Sequence, residues 1–323
     1  MTAYRHIFLI LAKVAVTSAL VYWLYVQMGT GAALEAVTGI GSGRLLLAVG
    51  LHCMVFILSA LRWWLLLSTT NAPLPFSRAL PSYYLGVFLN NFLPTSMGGD
   101  VARIVHLRLR GLSTKALIGS ALVDRIIGLT VIITIGAFSA LASPTIPLGA
   151  DKVTALAFLA LAVLVTPLLL MTPRAVRLVN RFAERYRGTR IRRAIIEIVG
   201  LCQSYRRAKP VLLAAYGITV LMQCIVIFIY FLLGNGIGVG LTLLTYFAVI
   251  PLVFVAASLP ISIGGLGVRE GVLVGMLVAA RVDGQLALGL SILYLLVLWT
   301  ASLPGALVIL AGALTRRRDR NTP

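Results

Sequence analysis

Acidic residues are scarce in this chain: nine Asp and Glu stand against 28 Lys and Arg, and charged residues of both signs make up only 11% of 323 positions. Soluble domains carry about 25%, so a water-soluble globule is excluded. Cysteine is nearly absent too. Cys53, Cys202 and Cys224 are scattered without a C-x-x-C pair, which indicates neither a disulfide framework nor a zinc site. His6, His52 and His106 lie far apart, so no metal cluster and no histidine-based triad is expected. The chain has no P-loop. Gly265-x-Gly267-x-x-x-Gly271 has neither the preceding strand nor the spacing of a dinucleotide loop. No metal, cofactor or catalytic residue is assigned from these signals.

What the sequence has is apolar length. Hydrophobic residues make up 60% of it, and runs of roughly 20 apolar residues, enough to cross a hydrocarbon core as helix, recur along it. They read at about 7–27, 44–68, 117–142, 153–171, 211–233 and 285–314. The first span is read as uncleaved, with removal near Ala33 as the alternative. The expected fold class is all-α: a single polytopic transmembrane bundle over 1–323. Its net charge of +19 sits in short blocks beside the spans, which points to orientation and anionic lipid rather than nucleic acid.

One pattern is written twice. Leu93-Pro94-Thr95-Ser96-Met97-Gly98-Gly99-Asp100-Val101-Ala102-Arg103 and Leu259-Pro260-Ile261-Ser262-Ile263-Gly264-Gly265-Leu266-Gly267-Val268-Arg269 share L-P-x-S-x-G-G-x-x-x-R without a gap. Each copy follows a short apolar helix, about 79–92 or 241–258, and precedes another, the charged 100–115 or the apolar 267–280. Both are read as broken or re-entrant hairpins, which membranes tolerate where protein or a polar cavity covers the unpaired backbone. Paired breaks in two halves are the best sequence pointer to a transporter's central site.

Loop charges give an orientation, because Lys and Arg concentrate on the cytoplasmic side of short loops. With the N-terminus inside, the outer loops 28–43 and 234–240 carry no Lys or Arg and 143–152 carries only Lys152. Arg78, the Arg108/Arg110/Lys115 group, the segment 173–210 and Arg316-Arg317-Arg318 then fall inside. The expectation is a multi-pass protein of the plasma (inner) membrane with both termini cytoplasmic. Three crossings plus one hairpin per half make repeat 1 (about 1–142) and repeat 2 (about 153–315) inverted relative to one another. Counts from six spans plus two hairpins up to ten spans stay open.

The segment 173–210 carries eleven basic residues against Glu184 and Glu197, with apolar residues at helical spacing. It is read as one or two amphipathic helices on the inner leaflet. It sets topology, gathers anionic lipid, or docks a lipid-synthesis or glycosyltransferase partner.

The candidate ligand-binding residues cluster on the motif. A helix beginning just after each Gly-Gly would direct free N–H groups and its positive dipole end at an anion, with Arg103 and Arg269 about one turn in. Guanidinium and backbone amides together suit phosphate. Gly98, Gly99, Gly264 and Gly265 let backbone approach, and Ser96, Ser262, Asn90 and Asn91 line the site or bond helix ends. Asp100 caps its helix or holds Arg103 at i,i+3. Adjacent helical residues do not face each other, so Glu270 is expected to pair away from Arg269. Arg62, Asp124 and Arg125 fall within spans at roughly 2.5–3.5 kcal/mol apiece, implying a compensating network or a wet cavity; for Arg62 the alternative is snorkelling beside Trp63 and Trp64.

Asn90 through Arg103, then Asp124-Arg125-Ile126-Ile127-Gly128-Leu129, then Pro260 through Gly271, with Arg62-Trp63-Trp64, resemble the lysylphosphatidylglycerol synthase transmembrane-region family over nearly the whole chain. The resemblance implies a membrane region involved in flipping lipids. In the full synthases a soluble aminoacyl-transfer domain follows; this chain ends at Pro323, so lysyl transfer is not expected. The reading that results is a flippase or transporter of an anionic lipid, phosphate-containing or polyprenyl-linked. An ion or small-solute transporter, a membrane-embedded transferase using a lipid-phosphate donor through Asp100, Asp124 or Glu270, and a non-catalytic scaffold are the alternatives.

Overall fold

Every third or fourth residue of the stretch from Ala48 to Leu66 turns inward: Ala48, His52, Val55, Ser59, Arg62 and Leu66 are all buried. They form one stripe of α1 (Ser42–Ser68). The stripe lies along α5 (Lys209–Gly236), whose Leu212, Ala215, Thr219, Met222, Val226, Tyr230 and Leu233 repeat at the same interval. The computed structural model describes residues 38–70, 74–91, 98–142, 208–258 and 266–311, with isolated positions between 176 and 205. The expected spans at 7–27 and 153–171, most of the basic segment 173–210 with its lipid and partner roles, and Ser96, Ser262, Gly264 and Gly265 lie outside the described residues.

Among the described residues the order is α1, α2 (Phe76–Asn90), α3 (Gly98–Arg108), α4 (Thr114–Ala142), α5, α6 (Leu243–Ser258), α7 (Val268–Ala279) and α8 (Gly284–Ser302), with no strand. Four of these regions, Ser42–Ser68, Thr114–Ser139, Lys209–Gly236 and Gly284–Ala311, are long and apolar enough to cross a membrane. At about 1.5 Å per residue each exceeds a hydrocarbon core of about 30 Å. The remaining helices are shorter: 15 residues for α2, 11 for α3, 16 for α6 and 12 for α7. Each half therefore reads long helix, short helix, motif, short helix, long helix. Both first short helices contain a proline, Pro81 in α2 and Pro251 in α6.

The chain leaves α3 and α7 by the same turn. Gly111 and Arg281, 170 positions apart, take φ of 89° and 65°. The N–H of the next residue bonds back to the last turn of the helix, Leu112 to the Leu107 carbonyl at 3.4 Å and Val282 to the Leu277 carbonyl at 3.0 Å. The motif copies, in contrast, are 166 positions apart. Four residues, close to one helical turn, are thus added between Arg269 and its turn relative to Arg103, which keeps both arginines on corresponding faces.

Close backbone contacts tie the short helices down. A Cβ on Gly86 would sit 2.6 Å from the Gly99 carbonyl oxygen, and one on Gly99 would strike the Gly86 carbonyl, so α2 and α3 cross backbone to backbone. The long helix that follows each motif also seats on the short helix that precedes the motif of the other half. Gly136 of α4 abuts Pro251 of α6, with only 2.9 Å to Pro251 Cβ for an added methyl, and Gly305 beyond α8 abuts the Tyr84 carbonyl and Phe88 of α2. The main apolar core runs through α1, α5, α6, α7 and α8; a second, around Trp63, Leu67, Ala79, Leu107 and Leu117, joins α1 to the α2–α3 pair and α4.

Candidate functional site

Three helices deliver charge to one place. Arg62 of α1, Asp124 and Arg125 of α4, and Asp100 and Arg103 of α3 form a continuous ion network. Arg62 Nε lies 2.6 Å from Asp124 Oδ1, and Arg62 Nη1 donates to Thr219 Oγ1 of α5 at 2.9 Å. The other Asp124 oxygen is 3.4 Å from Arg103 Nη2, which also reaches Asp100 Oδ1 at 2.8 Å. The second Asp100 oxygen accepts from Arg125 Nε. Arg62, Arg103 and Asp124 are buried. The Arg103 guanidinium is held between aromatic faces, 4.3 Å from the Trp63 ring centroid and 4.8 Å from that of Tyr83. Trp63 is itself fixed by Nε1 donating to Ser120 Oγ at 3.1 Å. Arg103 Nε and Nη1 are buried without a hydrogen-bond partner. Removal of a charge's partner in such surroundings costs about 3–5 kcal/mol, so this network fixes how α1, α3 and α4 sit.

Arg269 is held by different means. Its Nε and Nη2 donate to Glu270 Oε1 at 3.0 and 2.6 Å, and Glu270 Oε2 accepts from the Gly267 N–H at 2.6 Å. Its guanidinium lies 5.6 Å from the ring of Tyr294 on α8, which stacks on Tyr230 of α5 at 4.0 Å. Tyr294 stands 170 positions after Asp124, the separation of the two matched turns. Where the first half places a carboxylate beneath its motif arginine, the second places an aromatic face.

Both arginines line one cavity of about 380 Å³. Its polar lining is Asn90, Asn91, Asp100, Arg103, Arg125, Ser258 and Arg269; its apolar lining includes Phe56, Val87, Ile132, Phe254 and Leu298. The lining comes from α1, α2, α3, α4, α6, α7 and α8, so the cavity lies between the halves. Asn91 Nδ2 donates to Ser302 Oγ at 2.9 Å across that junction.

The family model of the lysylphosphatidylglycerol synthase TM region matches residues 10–305. The chain belongs to that family. No curated protein matches it. Membership in the lysylphosphatidylglycerol synthase TM-region family agrees with the long apolar helices and with a membrane lipid-related function.

Within this family member the sequence expectations fare unequally. Arg62 does not snorkel: it is buried and paired with Asp124. Glu270 does not pair away from Arg269. The rule that neighbours diverge holds in a helix interior, but Glu270 occupies the third helical position and folds back over the open helix end to take the Gly267 N–H, and the long Arg269 side chain follows it. One amide at each helix start is engaged: Asn90 Oδ1 accepts from the Gly99 N–H at 3.4 Å, and Glu270 takes that of Gly267. Gly99, Arg103 and Arg269 all line the cavity. The starts differ as well. Gly267 adopts φ 82°, which delays α7 to Val268; the corresponding residue of the first copy is Val101, a β-branched residue unsuited to that region, and α3 starts back at Gly98. Arg103 is consequently more than a turn inside its helix, whereas Arg269 is the second residue of its own.

Sequence reasoning missed Trp63, Tyr83, Thr219 and Tyr294. The aromatics look like ordinary apolar-span residues. The motif's register of 166, carried on from Asp124, points to Leu290; the four added residues that bring Tyr294 to that place are marked by the matched turns at Gly111 and Arg281.

Proposed function

We propose that this protein moves a lipid with an anionic headgroup between the leaflets of the membrane. The observation that carries the reading is the one cavity lined by the arginines of both motif copies together with apolar side chains. A phosphate headgroup suits the guanidinium side, by charge and by hydrogen bonding, and acyl or prenyl chain suits the Phe254, Val87 and Leu298 side. A small solute would have no use for the apolar part of the lining. In this reading the α2–α3 and α6–α7 pairs are re-entrant hairpins entering from opposite faces of inverted halves, with both termini cytoplasmic. Each of these four helices is too short to cross alone, and in this reading the motif arginines meet near the midplane, where transporters of inverted-repeat design place their substrates. Asp124, itself paired with Arg62, holds Arg103 in place.

The test is reconstitution into vesicles carrying trace fluorescent anionic or zwitterionic lipid, with a membrane-impermeant quencher outside. Quenching of inner-leaflet anionic probe well above that of protein-free vesicles is the expected result. Anionic probe that stays protected to the same extent as in empty vesicles overturns the reading.

A further inference from the structure

We infer that the turn between α3 and α4 is a docking surface for anionic phospholipid of the surrounding leaflet, separate from the cavity between the halves. Arg78, Arg108, Arg110 and Lys115 are exposed at this end of the α2–α3 pair, and none of them lines the cavity. Ser82 Oγ joins the two helices here: it donates to the Arg78 carbonyl at 2.9 Å and lies 2.9 Å from His106 Nδ1, so the first turn of α2 stands beside the last turn of α3. The carboxylates in ion pairs among the described residues are Asp100, Asp124 and Glu270, and each is taken by other arginines. The four cations are therefore gathered without countercharge. The fold does not require them. Counted from the motif and from the matched turns, their counterparts in the second half are Leu244, Val278, Ala280 and Gln285, all uncharged. The same turn forms there, and its Arg281 is balanced by Asp283 two residues on. A cluster of this kind next to membrane helices attracts an anionic surface.

The surroundings of the cations make that surface a lipid one rather than a soluble acidic protein. Val101, Val105 and Leu109 follow one another at intervals of four on one face of α3, and they are 57%, 46% and 73% exposed. The Leu109 N–H bonds to the Val105 carbonyl at 3.0 Å, which carries the helical path past Arg108. The apolar stripe thus ends between Arg108 and Arg110. Phe76, two residues before Arg78, meets Trp64 edge to face at 5.9 Å, and both rings are half-buried, as aromatics at a membrane interface are. The 11 residues of α3 rise about 16 Å, close to half of a hydrocarbon core of about 30 Å. A phospholipid with its headgroup on Arg108 and Arg110 lays its chain along Val105 and Val101 over the depth of one leaflet.

The test uses the full chain, with Cys53, Cys202 and Cys224 replaced by alanine, in nanodiscs of zwitterionic lipid carrying trace acceptor-labelled phosphatidylglycerol or phosphatidylcholine. A fluorescent donor is attached at Ser113→Cys in the basic turn or at Ala279→Cys beside the second-half turn, both exposed positions. The expected result at low salt is energy transfer from the basic turn about twofold higher to phosphatidylglycerol than to phosphatidylcholine, with no such preference from the second turn. Molar salt screens the attraction and is expected to remove the preference. The combined exchange Arg78→Gln/Arg108→Gln/Arg110→Gln/Lys115→Gln is expected to remove it as well. If that variant does not fold, the salt series and the second turn decide the matter with the cations in place. Equal transfer from the basic turn to both acceptors overturns the inference, as does a preference of the same size at both turns or one that survives molar salt or the exchange. Loss of the preference to millimolar inorganic phosphate at constant ionic strength assigns the cations to free phosphate and also overturns it. The surface lies outside the cavity, so its failure leaves the lipid-moving reading standing, and a failure of lipid movement leaves this inference standing.

Discussion

Asp124 and Tyr294 occupy corresponding places in the two halves, 170 positions apart, and each lies against its half's motif arginine: Asp124 Oδ2 is 3.4 Å from Arg103 Nη2, and the Tyr294 ring is 5.6 Å from the Arg269 guanidinium. The duplicated pattern therefore repeats a position and not a chemistry. One arginine belongs to a network that joins three arginines and two aspartates among the described residues; the other is neutralised by its neighbour and faced by an aromatic ring.

Asp124 is shared by two buried arginines. Asp124→Asn leaves both short of countercharge and is expected to destabilise the protein by about 3–5 kcal/mol. Asp124→Leu combined with Arg62→Met removes charge and countercharge together. In detergent unfolding curves the double variant is expected to lose less stability than the two single losses summed, which is the signature of coupled residues.

Tyr294 acts through its face. Tyr294→Phe retains the ring and is expected to support lipid movement at the unaltered rate, whereas Tyr294→Leu removes an interaction of roughly 0.5–2 kcal/mol with Arg269 and slows it severalfold. Initial translocation rates in vesicles, at equal protein density, make the comparison.

The motif's second glycine is explained by contact. Gly99→Ala drives a methyl into the Gly86 carbonyl and is expected to lower the unfolding midpoint and the yield of folded protein. Gly271→Ala, where an added methyl meets nothing within 4 Å, is the matched control and leaves both unchanged. Thermal unfolding of the two variants side by side checks this.

The polar end of α3 supplies a pH dependence. His106 Nδ1 pairs with Ser82 Oγ at 2.9 Å, and burial, with Arg110 nearby as a lesser cause, holds its pKa below the usual 6.5. Because the folded state resists the proton, the unfolded chain binds more of it below that pH, and stability falls as pH drops through the window beneath about 6.5. His106→Gln is expected to flatten that part of the curve of unfolding midpoint against pH.

How far the sequence reached depends on the kind of signal. Apolar periodicity located α1, α4, α5 and α8, because a helix tens of residues long needs only a coarse pattern. The short helices beside each motif were legible from proline, Gly-Gly and charge. Asn90 accepting from Gly99 nine residues on, and Glu270 folding back over a helix start, depend on the path of a turn, which composition does not encode. The Arg62–Asp124 pairing was legible only as a requirement that buried charge find a partner; which partner depends on how α1 and α4 pack. Tyr294 was hidden because an aromatic residue in an apolar span carries no polarity signal.

The central claim is that the two motif arginines serve one anionic-lipid path. Its most direct test is the vesicle quenching assay on Arg103→Ala/Arg269→Ala, compared with the unaltered protein at equal reconstituted density and with folding verified by size-exclusion profile. The account predicts that anionic probe movement falls to the level of protein-free vesicles. Movement at the unaltered rate in that double variant would contradict it.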